Sequence, residues 1–126
     1  MIVLDSSGWI EFFADGPYAS EFAKRLTRPE EVVAATVAIY EVYKWIKRER
    51  SEDEALAAVA TMKKAVVADL TEEVALIAAD LSLLHGLAMA DAMMLAFAQV
   101  NGAELVTTDS GFAGVSGVTI FPKKPK

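Results

Sequence analysis

Apolar residues along the chain fall into two kinds of segment: short continuous runs, and longer stretches in which they recur every three or four positions. Ile2 to Leu4 is an apolar run stopped by Asp5, Ser6, Ser7 and Gly8, which predicts a buried strand ending in a turn. Trp9 to Phe13 continues as a helical turn. Ala19 to Leu26 predicts a short helix with Phe22, Ala23 and Leu26 inward, closed by Arg28-Pro29 because a residue before proline is pushed out of helical geometry. Val32 to Ala35 reads as a second strand. Thr36 is then expected to cap a helix whose Ile39, Val42, Trp45 and Ile46 share one face.

Ser51-Glu52-Asp53-Glu54 has the capping-box pattern, so another helix is expected from there to about Ala65, followed by a brief strand, Val66 to Ala68. Thr71 opens a helix with Val74, Ile77, Leu81 and Leu84 in line and Gly86 as its stop. Leu87 to Asn101 is the most apolar helical stretch, stopped by Gly102. Leu105 to Thr107 and Val118 to Phe121 read as the last two strands. Strands separated by helices imply parallel pairing with helices on both sheet faces, an α/β architecture.

Composition narrows this frame. With 54% hydrophobic and 24% charged residues the chain is expected to be a compact soluble protein, and its 126 residues suffice for one core, so residues 1–126 read as a single domain. The absence of cysteine removes disulfides, thiolate metal sites and cysteine nucleophiles, and points to the cytoplasm. MIVLDSS has no basic stretch ahead of an apolar segment, so no secretory signal is expected. Leu87 to Val100 is too short for a bilayer span and contains Asp91, so a buried helix is expected and no membrane. The net charge of −6 argues against attraction of nucleic acid by the whole surface, although clustered acids that bind a divalent ion would reverse the local sign.

Four acids stand out from the other fourteen. Asp5 and Asp109 directly follow apolar strands, and ligands of parallel α/β sheets bind at the carboxyl ends of strands. Asp91 is the only charged residue between Leu87 and Val100, among neighbours Met94, Leu95 and Ala98 that look buried; an unpaired buried carboxylate costs on the order of 3–5 kcal/mol, so it calls for a cation. Glu41 borders the buried face of its helix in the same way. Asp80, by contrast, shares a polar face with Glu73, and Glu52, Asp53, Glu54, Glu72 and Glu73 need only helix-dipole and capping explanations. The cations cluster at Lys24-Arg25, Lys44 to Arg50, Lys63-Lys64 and the tail, and none is an evident partner for the four acids. The lone His85 sits beside Gly86, where a helix C-terminus explains it. Hard oxygen donors without cysteine or a histidine cluster select Mg²⁺ or Mn²⁺, which can activate water and neutralise a phosphodiester.

The ordered set of strand-borne Asp5, helical Glu41, helical Asp91 and strand-borne Asp109 resembles the PIN domain, and in particular the VapC toxins of toxin–antitoxin pairs. The resemblance is carried by IVLDSSGWIEFF, TVAIYEVYKW, GLAMADAMMLAFAQVNGAELVTTDSGF and GVSGVTIF, which bracket nearly the whole chain. It implies a three-layer α/β/α fold and Mg²⁺- or Mn²⁺-dependent RNA cleavage. It also implies a homodimer and inhibition by a VapB-like antitoxin whose tail wraps the toxin. Carried over residue by residue, it makes Asp5, Glu41, Asp91 and Asp109 the catalytic quartet, with Asp5 and Asp91 as metal ligands. Glu41 and Asp109 stay open between direct contact and contact through water. Ser6 and Thr107 match supporting hydroxyl positions. The family often has a further acid two residues after the last one, where this chain has Gly111, which puts a second metal site in question.

Two other small α/β classes fit worse. A receiver domain needs paired acids after its first strand and a haloacid-dehalogenase phosphatase needs Asp-x-Asp there, whereas Asp5 is followed by Ser6 and Ser7. Gly111, Gly114 and Gly117 lack the spacing of a dinucleotide loop. The rival from another class is a PIN-like fold that only binds a partner and turns nothing over. For it, any of Trp9, Phe12, Phe13, Tyr40, Tyr43 and Trp45 not needed in the core would line a groove for a partner helix.

Overall fold

The computed structural model describes residues 1–123; apart from Lys123, the basic tail lies outside them. Five apolar runs form one parallel sheet: β1 (Ile2–Leu4), β2 (Val32–Ala35), β3 (Val66–Ala68), β4 (Glu104–Thr107) and β5 (Val118–Ile120), in the order β3-β2-β1-β4-β5. Registers such as Val3 opposite both Val33 and Leu105 put the central strands in the interior, where Val3, Leu4, Val33 and Leu105 are fully buried. Both faces of such a strand must be covered, which is why these runs are continuously apolar instead of alternating.

Six helices supply the cover: α1 (Ser6–Phe13), α2 (Ala19–Arg25), α3 (Thr36–Glu49), α4 (Glu52–Met62), α5 (Glu72–His85) and α6 (Met89–Val100). The first four pack among themselves, α1 on α2 and α3, and α3 on α4, while α5 and α6 form the other pair. The result is the three-layer α/β/α arrangement expected from the sequence. The chain leaves β1 for β2 on one side and returns to β4 on the other, so the carboxyl ends of β1 and β4 meet at the point where the topology reverses. Crevices for ligands open at such points.

Local signals explain several boundaries. Ser51 Oγ accepts the Glu54 N–H at 3.1 Å, and Thr71 Oγ1 accepts that of Val74 at 3.2 Å, capping α4 and α5. Gly86 ends α5 at φ 67°, a left-handed conformation that glycine adopts without a Cβ penalty. Gly8 is needed for another reason: a Cβ there would run into the buried Leu4 side chain, so glycine lets α1 start directly against the end of β1.

Several expectations are corrected. Thr36 is not the cap of α3; Ala35 is, in extended geometry, and Thr36 Oγ1 instead accepts the Leu70 N–H at 3.3 Å, tying the loop after β3 to the start of α3. Helix α4 stops at Met62 instead of near Ala65, α6 begins at Met89 instead of Leu87, and β5 ends at Ile120. The helical turn read at Trp9 to Phe13 is a full helix from Ser6. Leu84 is 75% exposed: the inner stripe of α5 runs through Val74, Ala78 and Leu81, which leaves Leu84 facing outward with Leu76 and Leu83. Among the described residues no single helix is long and apolar enough to cross a membrane; α5 and α6 qualify only together, and they bend by 116° at their junction.

Candidate active site

Asp5 leaves the end of β1 and caps α1. Its Oδ1 accepts the Gly8 N–H at 2.9 Å and the Ser7 hydroxyl at 2.7 Å, and its Oδ2 accepts the Thr107 hydroxyl at 2.5 Å. Thr107 comes from the neighbouring β4, so the two central strands hold one carboxylate between them. Thr107 Oγ1 also accepts the Asp109 N–H at 2.9 Å, and Ser7 Oγ the Thr108 N–H at 3.0 Å. Both hydroxyl protons are thus turned to Asp5, and the 3.2 Å approach of Ser7 Oγ to Thr107 Oγ1 is packing. Burial pushes the Asp5 carboxyl above its ordinary pKa, against the opposing pull of the Thr107, Ser7 and Gly8 donors.

Ser6, the next residue, donates from Oγ to Glu41 Oε1 at 2.5 Å, which fixes the second acid on α3 against the start of α1. Asp91 projects from the first turn of α6, and Asp109 begins the turn after β4, where its Oδ1 accepts the Gly111 N–H at 2.8 Å. A Cβ at Gly111 would stand 3.0 Å from that same oxygen, so the further acid of the family pattern is replaced here by a close backbone contact. Asp91 is pushed up to about 7, first by burial, then by the charge of Asp109 and a hydrogen bond to it, then by the charges of Asp5 and Glu41.

The structure therefore brings all four acids singled out in the sequence to one cleft of about 350 Å³. None of the ion pairs among the described residues involves any of the four. Among those residues, no three carboxylate or imidazole groups are already drawn together as a metal cage. The donor set is nonetheless one that suits a hard divalent ion. It consists of oxygen donors alone, with an excess of negative charge that leaves one carboxyl holding a proton near neutrality.

Three features of the cleft escaped the sequence reading. Ser7, read only as a turn residue, is a direct partner of Asp5. Lys44 and Arg48 also line the cleft, with Tyr40 and Trp45. Their spacing from Glu41, three and seven residues along one helix, was the available signal, since such positions share a face. Of the six aromatics, Trp9 is fully buried, Phe12, Phe13, Tyr43 and Trp45 are partly buried, and Tyr40 is 63% exposed.

Carboxylates from two strand ends and two helices thus gather at the topological switch point of a parallel α/β domain, where such sheets bind their ligands. The chain belongs to the PIN-domain family, whose profile matches residues 2–118. No curated protein matches the sequence. Among solved structures it is similar to a toxin–antitoxin complex from Klebsiella pneumoniae at 22% identity, covering 94% of this chain and 96% of that one with a TM-score of 0.80. VapC20 of Mycobacterium tuberculosis, described as a sarcin-ricin loop cleaving toxin, is 21% identical over 92% of this chain and 95% of that one, with a TM-score of 0.76. VapBC2 of Rickettsia felis, bound to a DNA fragment from its promoter, has 13% identity, coverage of 97% and 98%, and a TM-score of 0.73.

Proposed function

We propose that this protein is a metal-dependent endoribonuclease of the VapC type, the toxin of a toxin–antitoxin pair. The observation that carries the reading is the convergence of Asp5, Glu41, Asp91 and Asp109 in one cleft, none of them in an ion pair among the described residues, on a PIN-domain fold. Asp5 and Asp91 are the residues that would hold Mg²⁺ or Mn²⁺, with Glu41 and Asp109 beside them directly or through water. The ion supplies a Lewis acid for the phosphodiester and an acidified water. The chain's own part is orientation and proton handling. Thr107, Ser7 and the Gly8 N–H keep the Asp5 carboxylate in one rotamer, Ser6 does the same for Glu41, and Asp91, pushed up to about 7 in the metal-free chain first by burial, would give up its proton as the ion binds.

Cleavage of a generic RNA is expected to vanish in EDTA and return with Mg²⁺ or Mn²⁺, and the ion should raise the melting temperature because it binds the folded chain only. Full activity in excess chelator would refute the metal reading. A chain that is folded, inert toward RNA with either metal, and still bound by a partner would be the catalytically silent partner-binding module instead.

The antitoxin reading is supported by a groove of about 250 Å³ between α1, α3 and α4, lined by Phe13, Ile46, Ala57 and Ala58 with Arg50 and Glu54 at its rim, which suits an amphipathic helix of a VapB-like partner. Homodimer formation is supported by Leu76, Leu83 and Leu84 on the outer face of α5, 62%, 87% and 75% exposed. The toxin assignment predicts that the product of the adjacent gene co-purifies with this chain and cancels its effect on growth. Two proteins that neither associate nor neutralise each other would remove that assignment and leave the nuclease standing.

A further inference from the structure

The acids occupy only one part of the cleft. Along α3 the cleft wall changes character, from Glu41 beside the carboxylates to Lys44 and Arg48 further on, with Trp45 half-buried between them. Tyr40, Lys44 and Arg48 stand at successive i+4 positions, so they form one ridge of the helix, each step advancing about 6 Å along the axis.

These cations do not serve the fold. The Lys44 ammonium pairs with no carboxylate among the described residues; it lies 5.6 Å from the centre of the Tyr40 ring and 3.5 Å from its hydroxyl. Among the described residues the Arg48 guanidinium pairs only with Glu49, its sequence neighbour, in an exposed pair at 2.9 Å that contributes little and is readily exchanged for a stronger anion. In a chain of net charge −6, two cations on the wall of the acidic cleft are well placed to offset the repulsion a polyanion meets there.

We propose that the α3 wall is a guide for single-stranded RNA: Lys44 and Arg48 contact backbone phosphates flanking the one at the acids, and Tyr40 offers its exposed ring to an unstacked base. The inference rests on the ribonuclease reading above and adds the strand's path. Two cations a helical turn apart meet two points of a strand, not one phosphate. Base stacking on an aromatic ring favours a single strand, because a duplex keeps its bases stacked on one another.

The test measures kcat and KM for a short single-stranded oligoribonucleotide across a salt series in saturating Mg²⁺, for the wild type, Lys44→Ala, Arg48→Ala and the control Lys64→Ala. Each cleft variant is expected to raise KM about fivefold to tenfold with kcat within about twofold, as loss of uniform binding requires. The dependence of log affinity on log salt should become shallower by about 0.7 for each phosphate-binding cation removed. Lys44→Arg and Arg48→Lys should restore the slope, and Lys64→Ala should leave all three quantities unchanged. Tyr40→Ala should erase the preference for the single strand over a duplex of the same sequence.

Anisotropy of the labelled oligonucleotide with Asp91→Asn in EDTA reads binding without chemistry. If KM, affinity and salt slope stay at wild-type values in Lys44→Ala and Arg48→Ala, or if kcat falls at constant KM, the guide is overturned while an active wild type keeps the nuclease reading. If the wild type cleaves no RNA yet Asp91→Asn binds the strand with a salt slope that these residues set, the nuclease reading falls and the guide stands.

Discussion

Asp91→Asn is expected to abolish RNA cleavage, by about a thousandfold or more, while leaving the chelated protein as stable as the wild type or more so. Replacing this carboxyl by an amide keeps its shape and removes both a metal ligand and a charge. In the metal-free chain that charge is a burden: burial first, and then the charges of Asp109, Asp5 and Glu41, push Asp91 upward, from an ordinary value of 3.8 to about 7. The folded chain therefore holds a proton that the unfolded chain releases between pH 4 and 7. The stability this contributes is complete below about pH 4 and is lost as pH rises through 7, on the order of 2 kcal/mol once solvent around a half-buried group is allowed for.

Urea midpoints in EDTA should accordingly fall more steeply for the wild type than for Asp91→Asn between pH 5 and 8. In Mg²⁺ the order should reverse, because the ion favours the ionised carboxylates of the wild type. A structural carboxylate paired within the core would behave oppositely, costing about 3–5 kcal/mol on substitution and sparing activity in whatever remains folded. A folded, fully active Asp91→Asn protein would overturn the site.

Asp5 should behave differently, because it is built into the fold as well as the site. Asp5→Ala strands the Gly8 N–H and frees the Ser7 and Thr107 hydroxyls in a place that is 3% exposed. The two hydroxyls lie close enough to turn to each other, which limits the damage mainly to the lost cap and the unpaired N–H, about 2–3 kcal/mol together. Asp5→Asn should cost less than about 1 kcal/mol, since asparagine is an equally good cap. Its oxygen can keep Ser7 and Gly8, its amide can donate to Thr107, and Thr107 can pass its proton to Ser7. Both variants should lose cleavage to a similar extent. Urea midpoints beside initial cleavage rates separate the two roles: an active Asp5→Asn protein removes Asp5 from the metal site, and an Asp5→Ala protein as stable as the wild type removes it from the framework.

The chain by itself determined the class of fold and the identity of the four acids. Apolar runs at Ile2, Val32 and Leu105 specify central strands covered on both faces, the segments at Val66 and Val118 supply the more exposed edge strands, and the helical spacing between them specifies the cover. Asp91 was legible because a lone charge in an apolar helix demands a partner, and Asp5 and Asp109 because they end strands. What only the tertiary structure decided is which groups meet. Ser7 and Thr107 lie 100 residues apart, and nothing local marks them as joint partners of Asp5 until β1 and β4 pair. The outward turn of Leu84 depends on which stripe of α5 the helix α6 covers, and the Thr36 hydroxyl serves the Leu70 N–H, 34 residues on, instead of capping α3. Local chemistry selects elements and their ends; the strand order brings distant side chains within hydrogen-bond reach, and with them the charge environment that pushes Asp91 to about 7.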